Sequence, residues 1–79
     1  MNLADLQPGE SGVVQALLVE GCQRRKLLDI GLVQNTFVHC VGRSPAGDPS
    51  AYLIRGAVIA LRAQDCRNII LVKEEGQWV

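Results

Sequence analysis

The chain has 79 residues, of which 48% are hydrophobic and only 4% aromatic, and its eight basic and eight acidic side chains leave no formal net charge. This length suits one small domain, so we predict a single domain over residues 1–79 with a core of aliphatic side chains. The neutral balance disfavours a nucleic-acid partner, because a protein that binds one needs a basic face to displace counterions from phosphates.

The sequence shows neither a targeting segment nor an apolar run of the roughly 20 residues that cross a bilayer. We therefore expect a cytoplasmic protein without direct membrane insertion.

Turn-forming residues precede the first predicted strand. Leu3 and Leu6 have helical spacing ahead of a break at Pro8–Gly9, and Ser11–Gly12 then opens an apolar run. We predict a strand over Val13–Val19. Both alternating sets of side chains in this run are mostly apolar, so the pattern does not decide which face is buried.

A short basic helix is predicted next, over Cys22–Ile30. Gly31 fits the left-handed position that commonly follows a helix, because a side chain there would clash. Leu32 can then fold back onto Leu27, the apolar contact of a Schellman stop. Three consecutive cations are expected to point away from the core, namely Arg24, Arg25 and Lys26.

The second strand is predicted over Thr36–Arg43, after a turn at Gln34–Asn35. Asn is the residue other than glycine that best tolerates the left-handed region, so it can support this turn. Within the strand, alternation places Val38 and Cys40 toward the core. The neighbouring side chains are expected outward or partly covered: Phe37, His39 and Val41.

A loop and a hairpin follow the second strand. The loop over Ser44–Ser50 contains Gly47, Asp48 and Pro49, whose restricted or adaptable backbones fix its path. A tight or bulged corner is predicted at Arg55–Gly56. The remaining predicted segments are strands over Ala51–Arg55, Ala57–Arg62 and Asn68–Lys73, a single turn over Ala63–Cys66, and a polar tail, Glu74–Val79, that contains Trp78.

Five short strands with turn signals and one short helix predict a mainly β fold, a small barrel. The pattern alone does not distinguish one small five-stranded barrel from another, such as an OB-fold. The three cysteines, Cys22, Cys40 and Cys66, are odd in number and widely spaced, which is typical of neither a disulfide framework nor a zinc site. Cys40 and Cys66 are therefore expected to be small buried hydrophobes.

No catalytic arrangement can be recognised. The only histidine, His39, has no readable Ser or Cys partner, and the glycine spacing at Gly42–Ser44 does not fit a phosphate loop. His39 and Cys40 are adjacent in a predicted strand, so their side chains should point to opposite faces and not share a metal. We predict a binding protein rather than an enzyme, with no metal ligands and no resident cofactor.

Two blocks of sequence carry a resemblance to a known family: Arg24–Leu32, and Gly47–Pro49 followed by Tyr52–Gly56 and Ile59–Arg62. Their order and spacing are similar to those of the FeoA family, small cytosolic proteins that accompany the bacterial ferrous-iron transporter FeoB. The resemblance runs from Leu6 to Val72. It departs from the family at Gln34–Asn35, where relatives usually carry Pro-Gly.

The resemblance implies an SH3-like barrel with the helix inserted after the first strand. It also implies an accessory protein of ferrous iron transport, which binds a FeoB-type transporter and modulates it. Ferrous iron would then be at most a transient ligand. The resemblance is also compatible with a homo-oligomer.

A contact surface can be proposed on this basis, because SH3-like barrels bind peptides through an apolar groove. We expect the surface to join the helix to the loop that holds Asp48 and Pro49. Its charge would come from Arg24, Arg25 and Lys26, and its apolar part from Leu32, Val33 and Tyr52. Simpler interpretations are a solvated helix face for the cations and cross-strand packing for Tyr52, the latter being the favoured reading of that residue.

A second hypothesis belongs to a different class of protein. Similar SH3-like barrels close the chains of iron- and manganese-dependent repressors, so this chain could be a metal-responsive regulatory domain. In those repressors a DNA-binding domain precedes the barrel, and no helix-turn-helix fits before Ser11. Regulation would then have to act through another protein.

Overall fold

A computed structural model describes the backbone of residues 1–74 and the side chains of residues 1–72. The predicted tail from residue 75 onward, including Trp78, lies outside the described residues. Within residues 1–74 the chain forms five strands, a 3₁₀ turn and two helices. Their bounds are Leu3–Asp5 for the 3₁₀ turn, Ser11–Leu17 for β1, Gly21–Asp29 for α1, Phe37–Arg43 for β2, Ser50–Ile54 for β3, Ala57–Leu61 for β4, Ala63–Cys66 for α2 and Ile69–Glu74 for β5.

The five strands form one antiparallel sheet in the order β4-β3-β2-β1-β5. This is the mainly β architecture with one short helix after the first strand that the sequence predicts. The register shifts between Val14 and Ala16 where β1 pairs with β5, and between Cys40 and Gly42 where β2 pairs with β3. Such irregularities add local bend and twist, which curls a small sheet around its core.

The first strand begins two residues earlier than predicted and ends at Leu17 rather than Val19. Ser11 and Gly12 lie within it and pair with β2 and β5. Gly12 suits an interior position here because a Cβ atom would stand 3.1 Å from the Val72 carbonyl oxygen. The two residues are therefore part of the sheet, and Val19 is buried in the segment that leads into α1.

Two turns contain residues whose φ is positive, in the left-handed region of backbone conformation. Asn35 has φ 72°, as expected for the residue that stands in for glycine at the turn before β2. Arg55 and Gly56 have φ values of 51° and 84°. Two positive φ values in a two-residue loop are what a type I′ hairpin turn requires, so the predicted tight corner between β3 and β4 is confirmed.

The core lies inside the curved sheet and is closed by the 3₁₀ turn, α1 and α2. Val38 and Cys40 are fully buried, and Phe37 and His39 are half-buried, which confirms the predicted faces of β2. The buried apolar side chains are Leu3, Leu6, Val14, Val19, Leu27, Leu32, Val38, Cys40, Tyr52, Ile54, Leu61, Cys66, Ile69 and Leu71. Neither helix of the described part has the length and hydropathy needed to cross a membrane.

Candidate functional site

Helix α1 ends as the sequence predicts. Gly31 has φ 96°, and its N–H donates to the Leu28 carbonyl at 3.0 Å. The Leu32 N–H donates to the Leu27 carbonyl, also at 3.0 Å. These two bonds define a Schellman motif, and Leu32 and Leu27 belong to the same buried cluster. The motif fixes both the length of α1 and the direction in which the chain leaves it.

The three cations of α1 are exposed, as predicted, but they do not face one direction. Successive helical residues are about 100° apart, so Arg24 and Lys26 point to different sides. Arg24 borders a depression beside β1 with Leu17, Leu28 and Val33, and its Nη1 donates to the Leu17 carbonyl at 3.3 Å. Lys26 borders a different depression, on the β4 side of the helix.

Two residues expected on the contact surface lie instead in the core. Leu32 is 0% exposed and Tyr52 is 1% exposed, so neither offers a surface to a partner in this structure. Leu32 is turned inward by the Schellman motif, and Tyr52 lies on the inner face of β3. Val33 remains half-buried at the rim of the depression beside Arg24. Of the apolar residues expected there, only Val33 is still partly accessible. Leu28, which was not among the expected surface residues, borders the same depression and is 38% accessible.

The loop residues Asp48 and Pro49 have structural partners. One Asp48 carboxylate oxygen accepts a hydrogen bond from the Ala63 N–H at 2.8 Å, which satisfies a free donor at the start of α2. The other lies 4.0 Å from Arg62 Nη1. The Pro49 carbonyl accepts from the Ser44 N–H at 3.1 Å, and the Asp48–Pro49 peptide bond is cis. The loop is thereby joined to α2 and the end of β4.

A groove of about 340 Å³ separates α1 from β4 and α2. We call it the α1–β4 groove. Its lining includes Lys26 from α1, Ile30 directly after the helix, Ile59 and Leu61 from β4, Arg62, and Asp65 from α2. Arg62 also approaches Asp48. The helix and the loop are thus connected through this groove, which sequence analysis did not anticipate because it depends on how α1 packs across the sheet.

The core also contains a series of hydrogen-bonded polar groups that the sequence pattern did not predict. The Cys66 thiol lies 3.5 Å from the Tyr52 hydroxyl and donates to it, and that hydroxyl donates to the Leu3 carbonyl at 3.4 Å. Burial away from water raises the pKa of both the Tyr52 phenol and the Cys66 thiol. Burial likewise raises the pKa of the Cys40 thiol. Both cysteines are buried as predicted, and this burial favours the neutral thiol.

The described residues contain no group of three or more His, Cys, Asp or Glu side chains that could hold a metal ion. His39 Nδ1 lies 2.7 Å from the buried Ser11 hydroxyl, so one ring nitrogen already has a partner. Cys40 and Cys66 are enclosed in the core. The expectation that the domain has no resident metal remains a prediction.

The fold class is shown by solved structures with which the chain superposes closely. A zinc complex of FeoA from Stenotrophomonas maltophilia, described as a prokaryotic SH3 domain protein, has a TM-score of 0.80 at 24% identity, over 91% of this chain and 89% of that one. The five-stranded sheet with its inserted helix is therefore an SH3-like barrel. A comparison with protein-family models matches the FeoA domain over residues 1–73. The chain belongs to the FeoA domain family.

Two further structures are more similar in sequence. FeoA from Chlorobium tepidum is 28% identical with a TM-score of 0.87, over 98% of this chain and 76% of that one. Iron(II) transport protein A from Clostridium thermocellum is 31% identical with a TM-score of 0.87, over 90% of this chain and 44% of that one. A search of curated proteins gave no significant match.

Proposed function

We propose that this protein is a cytoplasmic accessory of ferrous iron transport, which binds the cytosolic part of a FeoB-type transporter and modulates it. The observation that carries the proposal is the FeoA domain match over residues 1–73. The 31% identical Clostridium protein, described as iron(II) transport protein A, supports the same process.

The proposed contact surface comprises the exposed residues of α1 on both its β1 side and its β4 side, together with Val33, which follows the helix. Arg24, Arg25 and Lys26 supply its charge, while Leu28 and Val33 supply apolar area. Asp48 and Pro49 lie beyond the α1–β4 groove, at the edge of the area that a larger partner would cover. Both residues also make hydrogen bonds that stabilise their own loop. Leu32 and Tyr52 are not part of this surface, since both are buried.

Binding should be weak and sensitive to salt. Because the domain is small, its interface should lie at the low end of the usual size range. We therefore expect a Kd on the order of micromolar. Exposed cations mainly steer the encounter of two proteins, and their field is screened over about 10 Å at 0.1 M salt. Raising the ionic strength should therefore slow association more than it speeds dissociation.

Calorimetry with the transporter's cytosolic domain, and with the full-length transporter in detergent, tests this proposal. Replacing Arg24, Arg25 and Lys26 together by Ser should weaken binding and leave the fold intact, because all three side chains are exposed. Arg67→Ser is the control, since Arg67 is an exposed cation outside α1 and should not change the Kd. Absence of binding to either form of the transporter, well above micromolar concentrations, would reject the proposal and favour a metal-responsive regulatory domain.

A further inference from the structure

Strand β4 is an open edge of the sheet. It is the last strand in the order β4-β3-β2-β1-β5, and no described segment pairs with its outer side. Its five residues, Ala57–Leu61, are all apolar. Edge strands in soluble proteins usually carry a charged residue, a proline or a bulge that discourages another strand from pairing. The continuous five-residue ladder of β4 with β3 contains none of these.

The register shows which backbone groups of β4 are available. Ile54 and Ala57 flank the two-residue turn and pair with each other, and in such hairpins this flanking pair is hydrogen-bonded. Hydrogen-bonded pairs alternate along an antiparallel ladder, so Ile59 also bonds to β3. The N–H and C=O groups of Val58 and Ala60 therefore point away from the sheet. Val58 is 64% exposed, and Ala60 is exposed as well.

The α1–β4 groove runs beside this edge. Ile59 and Leu61 line it from β4, and Leu27 of α1 and Ile30 directly after the helix line it from the other side. In antiparallel pairs, directly opposed residues place their side chains on the same face of the sheet. A strand added to β4 would place every second side chain on the Ile59 face, toward this groove. Apolar side chains at those positions would bury apolar groove surface, which is favourable in water.

The positively charged residues around β4 favour a partner segment with acidic residues at its ends. Arg55 stands in the turn just before β4, Arg62 follows it directly, and Lys26 lies across the groove. Asp65 lines the groove and Asp48 lies 4.0 Å from Arg62, so the acidic side chains at this site offset only part of the positive charge. A second copy pairing symmetrically about Ile59 would bring Arg62 of one chain opposite the Arg55–Gly56 turn of the other. Self-pairing would thus gather the cations of both copies along one edge, and like-charge juxtaposition is unfavourable, so the site favours an acidic partner over self-pairing.

We propose that β4 and the α1–β4 groove bind an extended protein segment as an added antiparallel strand, with apolar side chains at alternate positions and acidic residues at its ends. The inference deepens the proposed function and rests on it for the expectation that the partner is a protein. Main-chain hydrogen bonds to Val58 and Ala60 would supply affinity in this mode, and the groove would supply side-chain preference.

Residue-resolved amide hydrogen exchange of the full chain tests the proposal directly. The probe is an acetylated and amidated peptide, Glu-Val-Thr-Val-Thr-Val-Glu, at millimolar concentration. We expect the amides of Val58 and Ala60 to exchange rapidly in the free protein and to slow by at least about tenfold with the peptide, while Ile59 is protected throughout. No added protection at either amide would overturn the proposal. Protection that rises with protein concentration alone would overturn it in favour of self-pairing.

Two modified peptides give a matched control on the unmodified protein. N-methylation of the two threonines removes the N–H groups that would face Val58 and Ala60, and should abolish the protection. N-methylation of the three valines places the methyl groups on the opposite edge and should leave the protection in place. Equal protection by both peptides would show that binding does not use strand pairing.

A protein variant separates this inference from the proposed function. Val58→Pro removes an N–H that points away from β3, so it should leave the ladder with β3 intact. We expect at least about tenfold weaker binding of the transporter's cytosolic domain, with unchanged urea unfolding. If Val58→Pro binds the domain as the unmodified protein does, the edge proposal fails and the proposed function stands. If the peptide protects Val58 and Ala60 but the transporter does not bind, the proposed function fails and the edge site stands.

Discussion

Gly31 combines two constraints in one residue. Its φ of 96° lies in the left-handed region that side chains rarely adopt, and a Cβ atom would stand 2.7 Å from Arg55 Cδ. The Arg55 guanidinium Nε also donates to the Gly31 carbonyl at 3.2 Å. The backbone conformation is the firmer constraint, because the end of a flexible arginine side chain can move aside.

Replacing Gly31 by Val should therefore lower the free energy of unfolding by about 1–3 kcal/mol, since a β-branched residue is strained at positive φ. Gly31→Asn should cost less, because Asn tolerates this region. Urea unfolding measures both. Repeating Gly31→Val in an Arg55→Ala background separates the two causes. A cost that disappears there would assign the effect to the contact with Arg55 rather than to the backbone.

The buried thiols of Cys40 and Cys66 make stability depend on pH at alkaline values. The pKa of each is raised in the folded state, chiefly by burial, whereas the unfolded chain titrates near the ordinary value of about 8.5. Above that value the unfolded state loses protons that the folded state keeps, so unfolding becomes more favourable. The contribution is complete below about pH 8.5 and is lost as the pH rises toward the folded-state values.

We expect the free energy of unfolding to fall as the pH rises above about 8.5, with a slope of at most about 1.4 kcal/mol per pH unit for each buried thiol. Urea unfolding under reducing conditions at several pH values gives this slope. The control is the double variant Cys40→Ala/Cys66→Ala, which should be less stable overall but flatter over this range. An equal slope in the variant would contradict the assignment to these thiols.

At the scale of elements, the connection between α1 and β2 is held by a compact set of hydrogen bonds. The buried Thr36 hydroxyl donates to the Gly31 carbonyl at 3.0 Å and accepts from the Val33 N–H at 3.2 Å. The Asn35 N–H donates to the Val14 carbonyl at 2.7 Å, and the Val14 N–H donates to the Thr36 carbonyl at 2.8 Å. These bonds hold the turn at Gln34–Asn35 in place against β1.

Thr36→Val keeps the shape of the side chain but removes both hydroxyl bonds, and leaves the Val33 N–H without its side-chain partner. We expect a loss of about 1–2 kcal/mol in the free energy of unfolding. Thr36→Ser is the matched control, since it retains the hydroxyl and loses only a methyl group. A larger loss for Ser than for Val in thermal or urea unfolding would show that packing, rather than hydrogen bonding, holds this connection.

At the scale of the whole molecule, two separate depressions lie on opposite sides of α1. Arg24 borders the depression beside β1, and Lys26 borders the α1–β4 groove on the other side of the helix. The proposed transporter contact and the proposed strand-binding edge thus meet at α1. One partner could use both regions, with the helix face setting the encounter and the edge holding an extended segment.

The metal content of the purified protein is a further prediction at this scale. We expect reduced, dialysed protein to hold no stoichiometric iron or zinc, because the described residues offer no group of three ligands and two of the three thiols are buried. Elemental analysis of both monomeric and oligomeric fractions measures this. A ratio near one metal per chain that is lost in His39→Gln would contradict the prediction and identify His39 as a ligand.

The features that the sequence determined by itself are local. The stop of α1 at Gly31, the left-handed Asn35, the turn at Arg55–Gly56 and the inward faces of Val38 and Cys40 all agree with the structure. Each depends on steric limits within a few neighbouring residues or on the two-residue period of a strand, which the sequence displays directly.

Which side chains are exposed depends on the tertiary structure. Leu32 and Tyr52 were plausible surface residues by composition, but the Schellman motif and the inner face of β3 place both in the core. The α1–β4 groove and the free groups of Val58 and Ala60 arise from how α1 crosses a sheet that ends at β4. Burial depends on which distant segments pack together, and a pattern of neighbouring residues does not contain that information.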